Sequence, residues 1–273
     1  MPQIRPLRAR NDVFQLYQTL SRNREKRTRT KLYFLEGVHP VEQAIAGGEH
    51  FVHIAYDSGK RLSGWAQDML QKANPEVINP MPGEMLAELS DRENPCELVC
   101  ILKQREDGPA RIRKAVNRTK NPLIVVFDRP AAPGNLGTVV RSADAFGASG
   151  IITVGHAADF YDPQCIRASI GAMFHMPFAT FESCEETLKF LRGLPVDMQI
   201  IGTSAKGEAC LHEMDLNKPT VLIVGNETFG MSKAWKEACD KLAKIPIHGA
   251  ASSLNVGCAA SICLYEIARQ RAD

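Results

Sequence analysis

The chain has 273 residues, 44% of them hydrophobic and 23% charged, values ordinary for a soluble globular protein and too apolar for a disordered one. Its formal net charge of +2 gives by itself no support for a nucleic-acid partner, and no apolar run approaches the roughly 18–20 residues that a membrane span needs. The basic N-terminus lacks the apolar core of a signal peptide, so none is expected. Eight cysteines fall without the rhythm of a disulfide scaffold, and neither Cys96/Cys100 nor Cys258/Cys263 is a CxxC. No paired histidines complete a zinc site, so no metal is expected, and a reducing cytoplasm fits best.

The charge is segregated. Residues 1–31 hold nine Lys/Arg and two acids, net +7, and residues 103–122 hold seven and two, net +5. The stretches 32–102 and 123–273 sum to −7 and −3. Basic blocks of this kind mean a solvated surface or an anion-binding footprint.

In chain order, Val13, Leu16, Tyr17 and Leu20 at helical spacing predict a helix over 11–23, capped by Asn11 or Asp12. A basic loop, Arg24–Lys31, completes an N-terminal arm over 1–31. A strand at 32–36 and a helix at 38–46 closed by Gly47-Gly48 follow, then a strand at 51–56 and a helix at 61–73. Val77-Ile78, a short helix at 83–89 and the apolar run 98–102 complete a small α/β domain over 32–105. Residues 106–121, charged and containing Gly108-Pro109, read as a basic linker with room for a helix at 110–117. Beyond it, strands at 123–127, 151–154, 199–201, 221–224 and 243–247 alternate with helices at 137–146, 163–173, 184–192, 231–240 and 254–270. That alternation predicts a parallel sheet with helices on both faces over 122–273.

Ligands of open α/β sheets gather at the carboxyl ends of the strands. After 123–127, Pro130, Pro133, Gly134 and Gly137 force an irregular loop; Asn135 sits just before a helix that carries Arg141. The pair reads either as a cap and a surface cation or as an amide and a guanidinium aimed at one anionic or hydroxyl-bearing substrate. After 221–224, Gly225 permits close backbone approach, Glu227 lies at a strand end and Ser232 is placed to cap the next helix. After 243–247, Ser252 or Ser253 is placed to cap a final helix whose small residues Gly257, Ala259, Ala260 and Ser261 allow close packing; Asn255 in its first turn has no evident structural job. GxGxxG after a strand, Walker A, GxSxG and HExxH are absent, which points to chemistry without a metal or a covalent enzyme intermediate.

Together, PGNLGTVVRSADAFGASGI, LIVGNETFGMS and IPIHGAASSLNVGCAASICLYE resemble, in order, the three motifs of the SpoU (TrmH-type) RNA 2′-O-ribose methyltransferases of the SPOUT superfamily. FLEGVHPVEQAI looks like the opening of the small α/β RNA-binding domain, similar to ribosomal proteins, that often precedes this catalytic domain. The resemblance implies a parallel-sheet SPOUT domain with a deep trefoil knot, an exception to the rule against threaded loops. It also implies a homodimer with its site near the subunit interface. S-adenosylmethionine is the implied cofactor, and a ribose 2′-hydroxyl of ribosomal or transfer RNA the implied methyl acceptor.

Carried onto this chain, the resemblance implies catalytic roles for Asn135, Arg141, Glu227, Ser253 and Asn255. It implies cofactor contacts from Thr203, Val224, Gly225, Asn226, Ile245, Ile247, Ser253 and Leu254, with Ile245, Ile247 and Leu254 suited to an adenine face. RNA contacts are expected from Arg24, Arg27 and Arg29, from Arg141, and from Arg167 in RASIGAMFHMP. The family assigns the arginine at position 141 as general base, but a guanidinium with a pKa above about 12 rarely deprotonates. Phosphate binding and alkoxide stabilisation are therefore the expected role. One departure is Gly257, where many members carry Ser; the missing hydroxyl is expected to loosen a helix-terminal contact. Competing readings are a catalytically inactive RNA-binding or ribosome-assembly protein of the same fold, and a base-nitrogen methyltransferase, against which the SLNV motif speaks. A small-molecule hydrolase or transferase leaves the basic segments unexplained.

Overall fold

Apolar runs and amphipathic stretches alternate along the chain and close into two sheets, one in each of two units. The computed structural model describes residues 2–90, 92, 94–106 and 108–272. The first unit runs to Glu106 and takes in Asp159–Phe174; the second runs on to Ala158 and resumes at His175. No helix among the described residues is long and apolar enough to cross a membrane.

In the first unit, β1 (Gln3–Ile4), α1 (Asp12–Arg22), α2 (Arg24–Thr30), β2 (Leu32–Glu36), α3 (Val38–Ala46) and β3 (His50–Asp57) lead into α4 (Gly64–Ala73), β4 (Val77–Met81), α5 (Gly83–Leu89) and β5 (Val99–Lys103). The sheet order is β1-β4-β3-β5-β2, parallel where β4 meets β1 and β3, antiparallel where β5 meets β3 and β2. The basic N-terminal segment is not a free arm. Leu7, Phe14, Tyr17 and Leu20 are buried in one core with Phe34, Met81, Leu86 and Ile101. The expected loop at 24–31 is helix α2, whose cap Asn23 accepts from the Lys26 N–H at 2.9 Å. Its run of Arg, Glu, Lys and Thr has no apolar period to announce it, although Arg, Lys and Glu favour a helix.

Arg27 overturns one expectation outright. It is 1% exposed, and its guanidinium donates to Asp159 (2.8 Å), Asp162 (3.0 Å) and the Leu20 carbonyl (3.0 Å). A cation so enclosed does not meet RNA. Near the other end of the same segment, Arg105 pairs with Glu49 (3.3 Å) and donates to the carbonyls of Met173 and Phe174. Two guanidiniums thus hold Asp159–Phe174 in the first unit.

In the second unit, α6 (Pro109–Val116), β6 (Leu123–Asp128), α7 (Pro133–Ala145) and β7 (Gly150–Val154) come first. α8 (Pro163–Ser169), in the first unit, intervenes before β8 (Phe178–Phe181), α9 (Cys184–Arg192), β9 (Gln199–Thr203) and β10 (Ala209–Cys210). β11 (Thr220–Val224), α10 (Lys233–Ala238), β12 (Lys241–Lys244) and α11 (Val256–Arg271) complete it. The order β10-β12-β9-β11-β6-β7-β8 is parallel throughout, as the alternation predicts. The supposed linker is largely α6, whose Ile112 and Val116 enter this unit's core beside Ile124, Ile152 and Phe190.

Two further boundaries move for physical reasons. The helix expected over 163–173 ends at Ser169, because Ile170 turns left-handed at φ 51°; a single 3₁₀ turn, Ala172–Phe174, follows. The strand expected over 243–247 stops at Lys244, since Pro246 has no N–H to extend a ladder.

Replacing Arg27 by Met leaves two partly buried carboxylates without their cation, which should cost about 3 kcal/mol. Hydrogen exchange read by mass spectrometry should show faster opening across α1 and β2, with protection of β11 retained.

Candidate active site

The end of β6 sets the first anchor. Asp128 is 2% exposed and accepts from the Ser232 N–H at 2.7 Å. Its two oxygens also receive the Arg129 guanidinium, Nε to Oδ1 at 3.1 Å and Nη2 to Oδ2 at 3.0 Å. Arg129 is left-handed at φ 52°, which costs a non-glycine residue about 1–2 kcal/mol. The surroundings hold it there: Asn226 Nδ2 donates to the Arg129 carbonyl (2.7 Å), and Arg129 Nη2 reaches the Gly230 carbonyl (3.3 Å). Neither Asp128 nor Arg129 was singled out from the sequence, although a charged pair directly after an apolar strand was the available signal. Ser232 stands at the cap position of α10 but makes no side-chain cap bond.

A chain of polar side chains then joins all three motifs. Glu227 accepts from the Ala131 N–H (3.0 Å), the Ala132 N–H (3.1 Å) and Asn135 Nδ2 (3.2 Å). Asn135 Oδ1 accepts from Asn255 Nδ2 (3.2 Å), and Asn255 Oδ1 accepts from the N–H groups of Gly257 (2.8 Å) and Cys258 (3.4 Å). An ionised carboxylate only accepts and helix N–H groups only donate, so both amide orientations are set from the two ends.

Two expectations change here. α7 begins at Pro133, whose fixed φ and missing N–H suit a first helical position. Asn135 therefore lies within its first turn, and Glu227, from another loop, supplies the negative charge at that helix start. α11 is capped by Asn255, not by Ser252 or Ser253. Burial opposes ionisation of Glu227, but the Ala131, Ala132 and Glu227 N–H groups and the Asn135 amide outweigh it and hold the carboxyl below its usual range.

All eight residues expected at the cofactor line one cavity of about 450 Å³: Thr203, Val224, Gly225, Asn226, Ile245, Ile247, Ser253 and Leu254. Glu227 lines it too, as do Phe229, Met231, Lys206 and Lys236, which the sequence reading did not single out. Ile245 and Ile247 face it because Pro246 takes them out of the sheet. Gly225 is obligatory: a Cβ there would stand 2.3 Å from the Met231 nitrogen. Gly257 has a packing role rather than a looser contact. A Cβ would stand 2.8 Å from Thr138 Cγ2, and the Ser142 and Ser261 hydroxyls meet at 2.7 Å where α11 lies on α7.

The remaining expected residues lie outside this network. Ser253 is exposed on the cavity wall. Arg141 is exposed, six residues beyond Asn135 and so turned about 120° round α7, and no hydrogen bond or ion pair among the described residues links it to the relay. Arg24 and Arg29 on α2 and Arg167 on α8 are exposed in the first unit. Cys210, His212 and Glu213 bring ligand atoms within 4.8 Å, but Cys210 and Glu213 cap one another's backbone, which accounts for the proximity without a metal.

A Glu227→Gln variant should lose about 1–2 kcal/mol at pH 7, the worth of charge-assisted bonds at a partly exposed site. The lowered carboxyl contributes stability above the unfolded value near 4.3, and that contribution is lost as pH falls through the folded value. Thermal melts of the two proteins should therefore diverge at pH 7 and converge once the pH has fallen below the folded value.

Comparison with known proteins identifies the family. Residues 122–265 match the SpoU rRNA Methylase family, and residues 11–100 match the SpoU L30e-like domain. The chain is 39% identical to the 23S rRNA (uridine(2479)-2′-O)-methyltransferase of Streptomyces viridochromogenes, over 99% of this chain and 94% of that one. It resembles the crystal structure of the SpoU methyltransferase AviRb from that organism in complex with AdoMet, with a TM-score of 0.89 and 39% identity over 96% and 98% of the two chains. An AdoMet-bound rRNA methyltransferase from Sinorhizobium meliloti gives a TM-score of 0.86 at 28% identity, over 99% and 100% of the chains. The chain belongs to the SpoU rRNA methylase family, with an N-terminal L30e-like domain.

Proposed function

We propose that this chain transfers the methyl group of S-adenosylmethionine to a ribose 2′-hydroxyl of large-subunit ribosomal RNA, working in the cytoplasm as a homodimer. The observation that carries the reading is one cavity lined by all eight expected cofactor residues and by Glu227, from which the chain to Asn135 and Asn255 runs. The cavity suits the cofactor chemically. Ile245, Ile247 and Leu254 present apolar faces for a purine, and Gly225, also in the lining, lets the loop to Met231 close on itself. The Streptomyces relative acts on a ribose of 23S rRNA, which supports the substrate class.

When bound, S-adenosylmethionine supplies a methyl group on a positively charged sulfur, open to in-line attack by an oxygen. The protein's task is alignment and the handling of one proton. Alignment of well-oriented reactants is worth about 7–11 kcal/mol. Glu227, ionised and hydrogen-bonded by three donors, is a positioning residue rather than a base. It fixes Asn135, which with Asn255 and Ser253 orients the ribose. Arg141 supplies a planar guanidinium whose fork of donors suits a phosphate. It holds a phosphate beside the target ribose and stabilises the developing alkoxide, and the proton passes to water.

Phe229, Ile262 and Tyr265 are large apolar side chains exposed at 77%, 41% and 55%, and a second copy of the chain would cover them. The loops after β11 and β12 are those we take to form the knot. Arg24, Arg29 and Arg167 are the RNA contacts of the first unit.

Labelled S-adenosylmethionine and unmodified RNA test the whole reading. The expected product is an alkali-resistant, ribose-methylated dinucleotide from the large-subunit ribosomal RNA; label in a base, or in transfer RNA alone, overturns it. Arg141→Lys keeps the charge but loses the two-pronged donor geometry. It should lower kcat by about 100-fold or more, with cofactor affinity by calorimetry unchanged.

A further inference from the structure

Residues 109–120, forming α6 and the turn after it, contain Arg111, Arg113, Lys114, Arg118 and Lys120 and no acid. Ile112 and Val116 are buried and fix which way the helix faces. Arg113, Lys114, Arg118 and Lys120 are consequently exposed. With Asn117 and Phe190, the first three line a shallow open groove of about 540 Å³. Arg113 forms its fixed wall, because its guanidinium donates to the Gly193 carbonyl and lies 5.7 Å over the Phe190 ring. Lys114, Arg118 and Lys120 make no side-chain hydrogen bond or ion pair among the described residues.

The plain explanation of such charges is that cations complement the negative end of a helix. It covers Arg113 and Lys114, in the last turn of α6. It does not cover Arg118 and Lys120, which lie beyond the helix's final cap, Asn117. Unpaired like charges close together repel one another, and a polyanion relieves that repulsion. The field is local, since residues 123–273 carry a net charge of −3.

We propose that Lys114, Arg118 and Lys120, beside the fixed Arg113, form a phosphate-contact surface on the catalytic unit that holds the substrate RNA's backbone away from the target nucleotide. The assignment rests on the RNA-methyltransferase reading above. Contacts of this kind position RNA without reading its sequence. The surface should therefore contribute to RNA affinity and to its salt dependence, and not to the choice of nucleotide.

The test uses the full chain with Lys114→Gln, Arg118→Gln and Lys120→Gln combined, which removes charge at exposed positions and leaves Arg113 in place. The probe is an unmodified large-subunit ribosomal RNA fragment, titrated between about 50 and 200 mM salt. Each lost phosphate contact should reduce the slope of log affinity against log salt by about 0.7–0.9, so the triple variant should lose about two units of slope. KM for RNA should rise about tenfold, with kcat at saturating RNA and cofactor affinity unchanged. Wild-type slope and affinity in the triple variant would overturn the surface. The underlying reading fails separately: if the wild-type chain binds RNA with the steep slope and the variant with the shallow one, yet neither forms methylated product, the surface stands and the methyltransferase reading falls.

Discussion

One carboxylate organises the catalytic unit. Glu227 sits where the N-terminal N–H groups before α7 converge, and its charge fixes the Asn135 amide, which in turn fixes Asn255 at the start of α11. Three loops from different parts of the chain thereby share one hydrogen-bond pattern with both ends determined. Removing Glu227 or Asn135 leaves its neighbour with an unmatched polar group at the part-buried end of the chain. The close packing of α11 on α7 depends on the same chain. Asn255 sets where α11 begins, and Gly257, two residues after that cap, is the position at which a side chain would collide with Thr138.

Much of this was legible in the sequence. β6, β7 and β11 are buried on both faces, so they appear as continuous apolar runs that no helix or loop would share. The cavity residues were legible through the resemblance of three motifs to a known family, and those motifs lie at strand ends, where a parallel sheet collects its ligands. What was hidden depends on contacts between distant residues. Arg27 stands in a run of exposed basic residues, and its two carboxylate partners lie 132 and 135 residues further on. The cap of α11 was hidden because two serines precede Asn255, and local preference alone does not choose among them. Asp128 and Arg129 were hidden because their value lies in the loop at 226–232 that they hold in place.

Sequence charge and surface charge are also different quantities. The N-terminal segment is strongly basic, yet Arg27 is buried in an ion pair and Arg105 is engaged by Glu49 and two carbonyls. Those charges fold the first unit and are unavailable to a polyanion. Many basic side chains stay exposed, Arg24, Arg29 and Arg167 among them in one unit and the outer face of α6 in the other. Net charge by segment counts Arg27 and Arg105 equally with the exposed cations, and only the folded chain separates them.

The separation of Arg141 from the relay follows from the same physics. The relay needs a permanent negative charge, and a guanidinium bonded to Glu227 would compete with Asn135 and the α7 N–H groups for the same lone pairs. It would also spend its positive field on a protein carboxylate instead of on an RNA phosphate or a developing alkoxide. Placing Arg141 about 120° round α7 from Asn135 avoids both costs. The two residues share a rigid helix, so their relative position is preserved while their electrostatics stay separate. On the roles proposed for these residues, the relay is complete before substrate arrives and the cation is completed by it.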